Sequence, residues 1–289
     1  MSKNCVNVAV VGIGIGRANG MVLANSKRGK VVALCDLDQP RMEDFAKELP
    51  DSVKYYTDYK EMFEKENLDV VSVTVPDHLH ADPVCDAADA GIKGVFSEKP
   101  LTINLEDADR IIDAVNRNGT KMSVDHTRSF VPVFREARES VRNGDLGGLT
   151  RIVAHMGGHR SMLFRNGTHI VDLMGYFAES RPKWVLAVHE QGFEDYGTVY
   201  KGEGGKDPAL DPGSTLIVEY ENGVRAILNS AKMTPAITEI DVMGPKGRIR
   251  ADDAGGSRLL SDTVEGAVTL DPSFDHPGYP EFFGDALIP

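Results

Sequence analysis

The stretch VAVVGIGIGRANG, Val8 to Gly20, decides how the N-terminal half is read. Its apolar residues continue an unalternating run from Val6, as in a strand buried on both faces, and end in three alternate glycines, Gly12, Gly14 and Gly16. A helical pattern follows. A bound pyrophosphate requires close backbone approach without a Cβ and free N–H groups at a helix N-terminus. Gly12, Gly14, Ile15 and Gly16 are therefore read as a dinucleotide cradle. The spacing departs from G-x-G-x-x-G, because Arg17 stands where the third glycine falls when counting starts at Gly12.

Downstream, Asp36 closes the next apolar run twenty residues after Gly16, where an acidic side chain accepts both ribose hydroxyls and repels a 2′-phosphate. NAD is the expected cofactor. NADP is the alternative, with Arg41 as the residue that would accommodate the phosphate. Asp36 can also cap the turn that follows it, and the two roles are compatible.

Further outward the rhythm repeats. Strands are expected at 31–34, near 53, and at 70–75, 94–97 and 121–124, alternating with helices at 39–49, 58–65, 81–90 and 105–116; this is the pattern of a doubly wound parallel sheet. Beyond Val124 the pattern changes to helices at 132–142 and 169–177 and strands at 151–156, 184–191, 215–220, 224–230 and 239–243. Asn222-Gly223 marks a hairpin, so the second sheet is expected to be mainly antiparallel. The chain thus reads as an α/β Rossmann domain, 1–124, that binds NAD(P), and an α+β domain, 125–289, for substrate binding and oligomerisation. Residues 202–213 read as a loop and 271–289 as a Pro/Gly-rich tail; the single Trp184 is assigned to the core.

With 289 residues, 41% hydrophobic and 26% charged, the chain supports two cores without disulfide staples. Its 44 acidic residues against 32 basic ones give a formal charge of −12, which argues against nucleic acid and anionic membranes as partners. Cys5, Cys35 and Cys85 show no CxxC spacing and read as buried thiols in a reducing compartment. No signal-peptide pattern or membrane-spanning run is present, so a cytoplasmic location is expected.

Two further segments, VTVPDHLHADPVCDAADAGIKGVFSEKPLT at Val73 to Thr102 and RNGTHIVDL at Arg165 to Leu173, complete a resemblance. With the glycine turn, they resemble the glucose-fructose oxidoreductase / inositol dehydrogenase / MocA (Gfo/Idh/MocA) family over about residues 6 to 250. Ser97 to Pro100 is the most specific mark. The resemblance implies oxidoreductase activity, a Lys99-Pro100 peptide that is commonly cis, and Lys99 directed at the reacting hydroxyl. It also implies that Glu98 and the Pro76 to His80 turn line the nicotinamide ribose. The expected substrate is a secondary alcohol of a sugar, cyclitol or nucleotide-sugar, and a homodimer or homotetramer is expected.

Oxidising a carbinol requires a base for the hydroxyl proton, a role typically contributing about 10²- to 10⁴-fold. Histidine's ordinary pKa, about 6.5, suits it, and His169 is the leading candidate. Lys99 is expected to stabilise alkoxide character and is the alternative base. One helical turn along, Asp172 is placed to hold the His169 tautomer, while Ile170, Leu173, Met174 and Phe177 form the buried stripe. Where inositol dehydrogenases resemble D-x-x-x-H, this chain has Arg165 four residues before His169. Arg165 is read either as a ligand for a substrate carboxylate or phosphate or as a solvated surface residue, and Asp125, His126 and Arg128 at the domain junction either as substrate ligands or as hinge contacts. His155, His159 and His169 lack a fixed tetrahedral arrangement, so no metal is expected. Two other functions fit the same family pattern: an NAD-using glycoside hydrolase, and a non-catalytic NAD(P)-binding regulator.

Overall fold

The computed structural model describes residues 5–197, 199–200 and 207–252, together with the backbone of 257–261 and 268–270. The chain divides between Asp125 and His126 into two compact units. In the first, β1 (Val6–Val11), β2 (Gly29–Cys35), β3 (Lys54–Tyr56), β4 (Val70–Val73), β5 (Gly94–Ser97) and β6 (Lys121–Val124) alternate with α1 (Gly16–Asn25), α2 (Gln39–Ala46), α3 (Tyr59–Lys65), α4 (Ala81–Asp89) and α5 (Leu105–Asn118). The six strands lie in the order β3-β2-β1-β4-β5-β6, every neighbouring pair parallel. Val8, Ala9 and Val10 have no exposed surface, which explains why β1 lacks polar alternation.

Local chemistry sets the helix ends. Asp38 and Asn104 cap α2 and α5 by accepting N–H bonds from Arg41 and Asp107. Gly119, at φ 68°, closes α5 in the left-handed conformation.

The second unit contains α6 (Pro132–Arg142), α7 (Gly167–Ala178) and the strands β7 (Arg151–Gly157), β8 (Pro182–His189), β9 (Ser214–Tyr220), β10 (Arg225–Ala231), β11 (Ile237–Gly244), β12 (Gly247–Asp252), β13 (Ser257–Ser261) and β14 (Val268–Leu270). Their order is β14-β13-β12-β11-β7-β10-β9-β8. Every pair is antiparallel except β7 with β10. That exception has a topological cause: α7 intervenes after β7, which frees it from hairpin pairing and lets it insert between β10 and β11.

Alternate residues of the sheet, among them Ile152, Ala154, Leu216, Leu228, Val242 and Ile249, pack on Phe134 and Ala137 of α6. From α7 they meet Ile170, Leu173, Met174 and Phe177, the stripe expected from helical spacing. Glu179, at φ 47°, ends α7 and binds Arg142 of α6 through Nε at 2.7 Å, which ties the two helices together.

Several expectations need correction. Trp184 is not in the core: β8 is the edge strand, Trp184 is 40% exposed there, and its ring lies against the Arg225 guanidinium at 5.7 Å. Cys5 is exposed, whereas Cys35 is buried and its thiol is pushed up to about 12, chiefly by burial. The strand β12 was not among the expected strands; Gly244-Pro245-Lys246-Gly247 is the turn that leads into it, with Gly244 paired to Gly247. The glycine-rich stretch 202–213 lies partly outside the described residues and the tail 271–289 lies wholly outside them. Among the described residues no helix is long and apolar enough to cross a membrane.

Candidate functional site

In the first unit, the loop leaving β1 is shaped by contact with the end of β4. Gly12 has φ +90°, and a Cβ there would lie 2.7 Å from the Thr74 carbonyl oxygen. The Thr74 hydroxyl bonds the carbonyl oxygens of Val11 and Gly12 at 2.9 and 2.6 Å, and a Cβ on Gly16 would run into that hydroxyl. Gly12 and Gly16 are thus required by the fold itself. Gly14 differs, since a Cβ there would meet nothing within 4 Å, so its lack of a side chain leaves room for a ligand. No side chain caps α1 and its first turn carries no acid, so its N-terminal amides and positive dipole end remain uncompensated by side chains. This arrangement fits a dinucleotide pyrophosphate. Arg17 is occupied elsewhere, with Asp44 at 3.0 Å and with Glu48.

Asp36 is anchored by two backbone amides: Ile13 N–H donates to Oδ2 at 2.6 Å and Asp38 N–H to Oδ1 at 2.9 Å. The carboxylate therefore joins the glycine loop to the turn after β2. Arg41 Nη1 lies 3.5 Å from the same Oδ2.

A second group gathers where β4, β5 and β6 end. The amides of Glu98 and Asp125 donate to Val73 O and Ser97 O at 2.9 and 2.8 Å, continuing the parallel ladder one residue past the strands. Glu98 and Asp125 become lateral neighbours. The Lys99 amide donates to Glu98 Oε2 at 3.1 Å, and the Lys99-Pro100 peptide is cis.

Asp125 is 2% exposed; burial first, then the neighbouring Glu98 carboxyl, push its own carboxyl up to about 8, against the pull of Lys99. Its side chain lies beneath the surface because the ladder carries it inward. His80 is fully buried, with ring nitrogens 2.9 and 2.8 Å from the carbonyl oxygens of Pro100 and Val75, so it straps the Lys99-Pro100 turn to the end of β4. Pro76 is exposed at that same end.

In the second unit, α7 meets a one-turn 3-10 helix, Thr127–Phe130. Asp172 receives the Ser129 hydroxyl and lies 3.4 Å from His126 Nδ1. The His126 ring stands edge-on to His169 with centroids 5.8 Å apart. Asp172, expected to hold His169, is thus engaged with a second imidazole that the sequence reading left among undecided junction residues. The signal was its place two residues after β6. Arg128 Nη2 is 3.5 Å from Thr238 Oγ1.

The approach to α7 depends on another residue that went unnoticed. Fully buried Asp211 accepts the amides of Phe164 and Arg165, each at 3.0 Å, and so sets the backbone that carries Arg165. Burial pushes its carboxyl up to about 6, although those amides, Lys232 and Arg165 act in the opposite direction. An aspartate before Pro212-Gly213 was the available sequence signal. Among the described residues no group of three or more His, Cys, Asp or Glu side chains is placed to hold a metal ion.

A family model described as an oxidoreductase family with an NAD-binding Rossmann fold matches residues 6–126, and a GFO/IDH/MocA C-terminal domain model matches residues 134–250. An uncharacterised oxidoreductase of Bacillus subtilis, YrbE, is 23% identical, with 95% of this chain aligned to 81% of that protein. The myo-inositol 2-dehydrogenase of Thermotoga maritima is 27% identical, over 90% of this chain and 79% of its own length. An NAD-binding oxidoreductase from Klebsiella pneumoniae shares the fold with a TM-score of 0.81 at 21% identity, covering 96% of this chain and 87% of that one.

The Asp211 carboxyl carries a measurable signature. Between its ordinary value of 3.8 and about 6, the folded protein keeps a proton that the unfolded chain has released. Its contribution therefore lowers stability as pH rises through that window. Urea unfolding of Asp211→Asn from pH 4 to 7 is expected to show the variant gaining stability relative to wild type as pH rises. A constant difference would contradict this.

Proposed function

This chain belongs to the Gfo/Idh/MocA oxidoreductase family, with its NAD-binding Rossmann fold, and from that premise we propose that it oxidises and reduces a secondary alcohol of a sugar, cyclitol or nucleotide-sugar with NAD. The observation that carries the reading is the Lys99 turn: a lysine fixed by Glu98 and strapped by His80, on the same sheet edge as a glycine loop with open space at Gly14. Bound NAD supplies a hydride acceptor, and its reduced form a donor.

The chain's own residues divide the remaining work. The Gly12 to Gly16 loop, including Ile15, holds the pyrophosphate, and Asp36 the adenosine ribose. Pro76 and Glu98 border the nicotinamide ribose. Lys99 donates to the substrate oxygen, stabilising negative charge that develops there. His169 takes the hydroxyl proton, with Asp172 and His126 as its polar surroundings. Arg165 and Arg128 receive anionic or hydroxyl groups of the substrate; Arg165, replacing the aspartate of inositol dehydrogenases, favours a substrate bearing a carboxylate or phosphate. A screen of sugars, inositols and sugar acids, read by absorbance of reduced cofactor, tests the reaction class. Product without net reduced cofactor would indicate the NAD-using hydrolase, and binding without turnover the regulatory relative.

The protein is expected to bind NAD more tightly than NADP in a fluorescence titration. Asp36→Ala is expected to narrow the difference, since one close charge repulsion is worth on the order of 1–4 kcal/mol. Equal affinities in the wild type would refute the assignment of Asp36.

Lys99→Ala and His169→Ala are each expected to lower kcat by about 10²- to 10⁴-fold while NAD affinity stays within a few-fold. A residue whose variant retains near-normal kcat has no part in proton handling.

Self-association is also expected. The edge strand β8 exposes Val185, Leu186 and Val188 at 61%, 56% and 64%, an unpaired apolar edge of the kind that associates. Light scattering at micromolar concentration is expected to give a dimer or tetramer; a monomer would refute this.

A further inference from the structure

Asp172 stands one turn after His169 on α7, the spacing from which a carboxylate holds an imidazole directly. Its partners are elsewhere. Oδ2 accepts the Ser129 hydroxyl, and Oδ1 lies 3.4 Å from His126 Nδ1. Both residues come from the short segment after β6, with His126 at the start of the 3-10 turn and Ser129 within it. All four residues belong to the second unit. One small turn therefore engages both carboxylate oxygens, a hydroxyl at one and an imidazole nitrogen at the other.

That engagement selects a form of the His126 ring. An ionised carboxylate only accepts hydrogen bonds, so a neutral imidazole facing it carries its proton on the near nitrogen, Nδ1, and leaves Nε2 bare. His126 Nε2 is buried and has no hydrogen-bond partner among the described residues. The same ring meets His169 edge to face, at 79° with centroids 5.8 Å apart, inside the range of about 4.5–7 Å in which aromatic pairs attract. His169 is 7% exposed and its backbone is fixed in α7, so the freedom left to it is rotation of its ring. A perpendicular neighbour restricts that rotation.

We propose that Asp172 orients His126 and that His126, through the edge-to-face contact of the two rings, is a positioning residue for His169. Asp172 then acts on His169 at one remove: the carboxylate fixes the tautomer and tilt of His126, and the His126 ring fixes the plane of His169. Positioning of this kind requires no proton transfer between the imidazoles. A ring held in one plane keeps a nitrogen on the line of the hydroxyl it deprotonates, where small misplacements are costly. That benefit rests on the reading of His169 as the proton acceptor; the tautomer and the ring contact do not.

Nuclear magnetic resonance of the intact protein with isotope-labelled histidine tests the arrangement. Spectra are recorded at about pH 9, above the ordinary imidazole value of about 6.5, where nitrogen shifts distinguish the Nδ1–H from the Nε2–H tautomer. Wild type is expected to show His126 as Nδ1–H, with a nuclear Overhauser effect between its ring and that of His169. Asp172→Asn, which keeps the shape and removes the charge, is expected to move His126 toward the Nε2–H form and leave the His169 tautomer unchanged. A changed His169 with an unaltered His126 means that the carboxylate holds His169 directly, and overturns the proposal. An Nε2–H His126 in wild type also overturns it, without needing any variant to fold. Kinetics supply a second arm: His126→Ala is expected to lower kcat about 10-fold with KM within about 3-fold, and His126→Phe, which keeps a ring edge, to recover most of the loss. Equal losses in both variants, or none in His126→Ala, reject the positioning role. A wild type with the expected tautomer and ring contact but no turnover on any alcohol supports the arrangement and rejects the dehydrogenase reading.

Discussion

Everything in the first unit depends on how closely β1 and β4 end. Thr74 ties the two strands through its hydroxyl, and its backbone leaves no space for a Cβ at Gly12. The first turn of α1 then rests on the same threonine through Gly16. Two of three glycines are accordingly needed to assemble the sheet edge, and only Gly14 faces open space. A glycine motif alone therefore mixes demands from folding and from binding. The separation becomes visible only when each missing Cβ is placed against its neighbours.

The same distinction explains which parts of the chain were legible before its structure was known. Doubly wound alternation and the α7 stripe are local in sequence, each a run of residues whose periodicity states its burial, whereas the Lys99 turn was legible through the family resemblance. Trp184 was misread because an aromatic residue in an apolar run looks internal, whereas the β8 position at the sheet edge comes from long-range pairing. The parallel pairing of β7 with β10 is invisible for a similar reason, since it joins strands about seventy residues apart in sequence.

The site residues divide along this line too. His169 and Asp172 lie on one helix and were found by spacing, but Asp172 also meets His126 and Ser129 from a turn about forty residues earlier. His80 resembles a ligand in a run of Pro, Asp and His, yet its ring serves two distant backbone carbonyls. Polar residues near a functional turn can belong to the layer that holds it. Burial and hydrogen-bond partners, not residue type, separate that layer from groups that touch a ligand.

Three buried aspartates show how neighbouring groups decide what burial does to a carboxyl. All lose water, which by itself disfavours the charged form. For Asp241, burial is outweighed by Arg250 and Arg248, which hold the carboxyl below its ordinary value, so its charge anchors neighbouring strands. Asp211 has backbone amides for partners and is left above the ordinary range, at about 6, while still organising a loop. Asp125 faces another acid and rises further, to about 8. Burial is common to all three, so the differences come from the company each carboxyl keeps: guanidinium groups for Asp241, backbone amides for Asp211 and a second acid for Asp125.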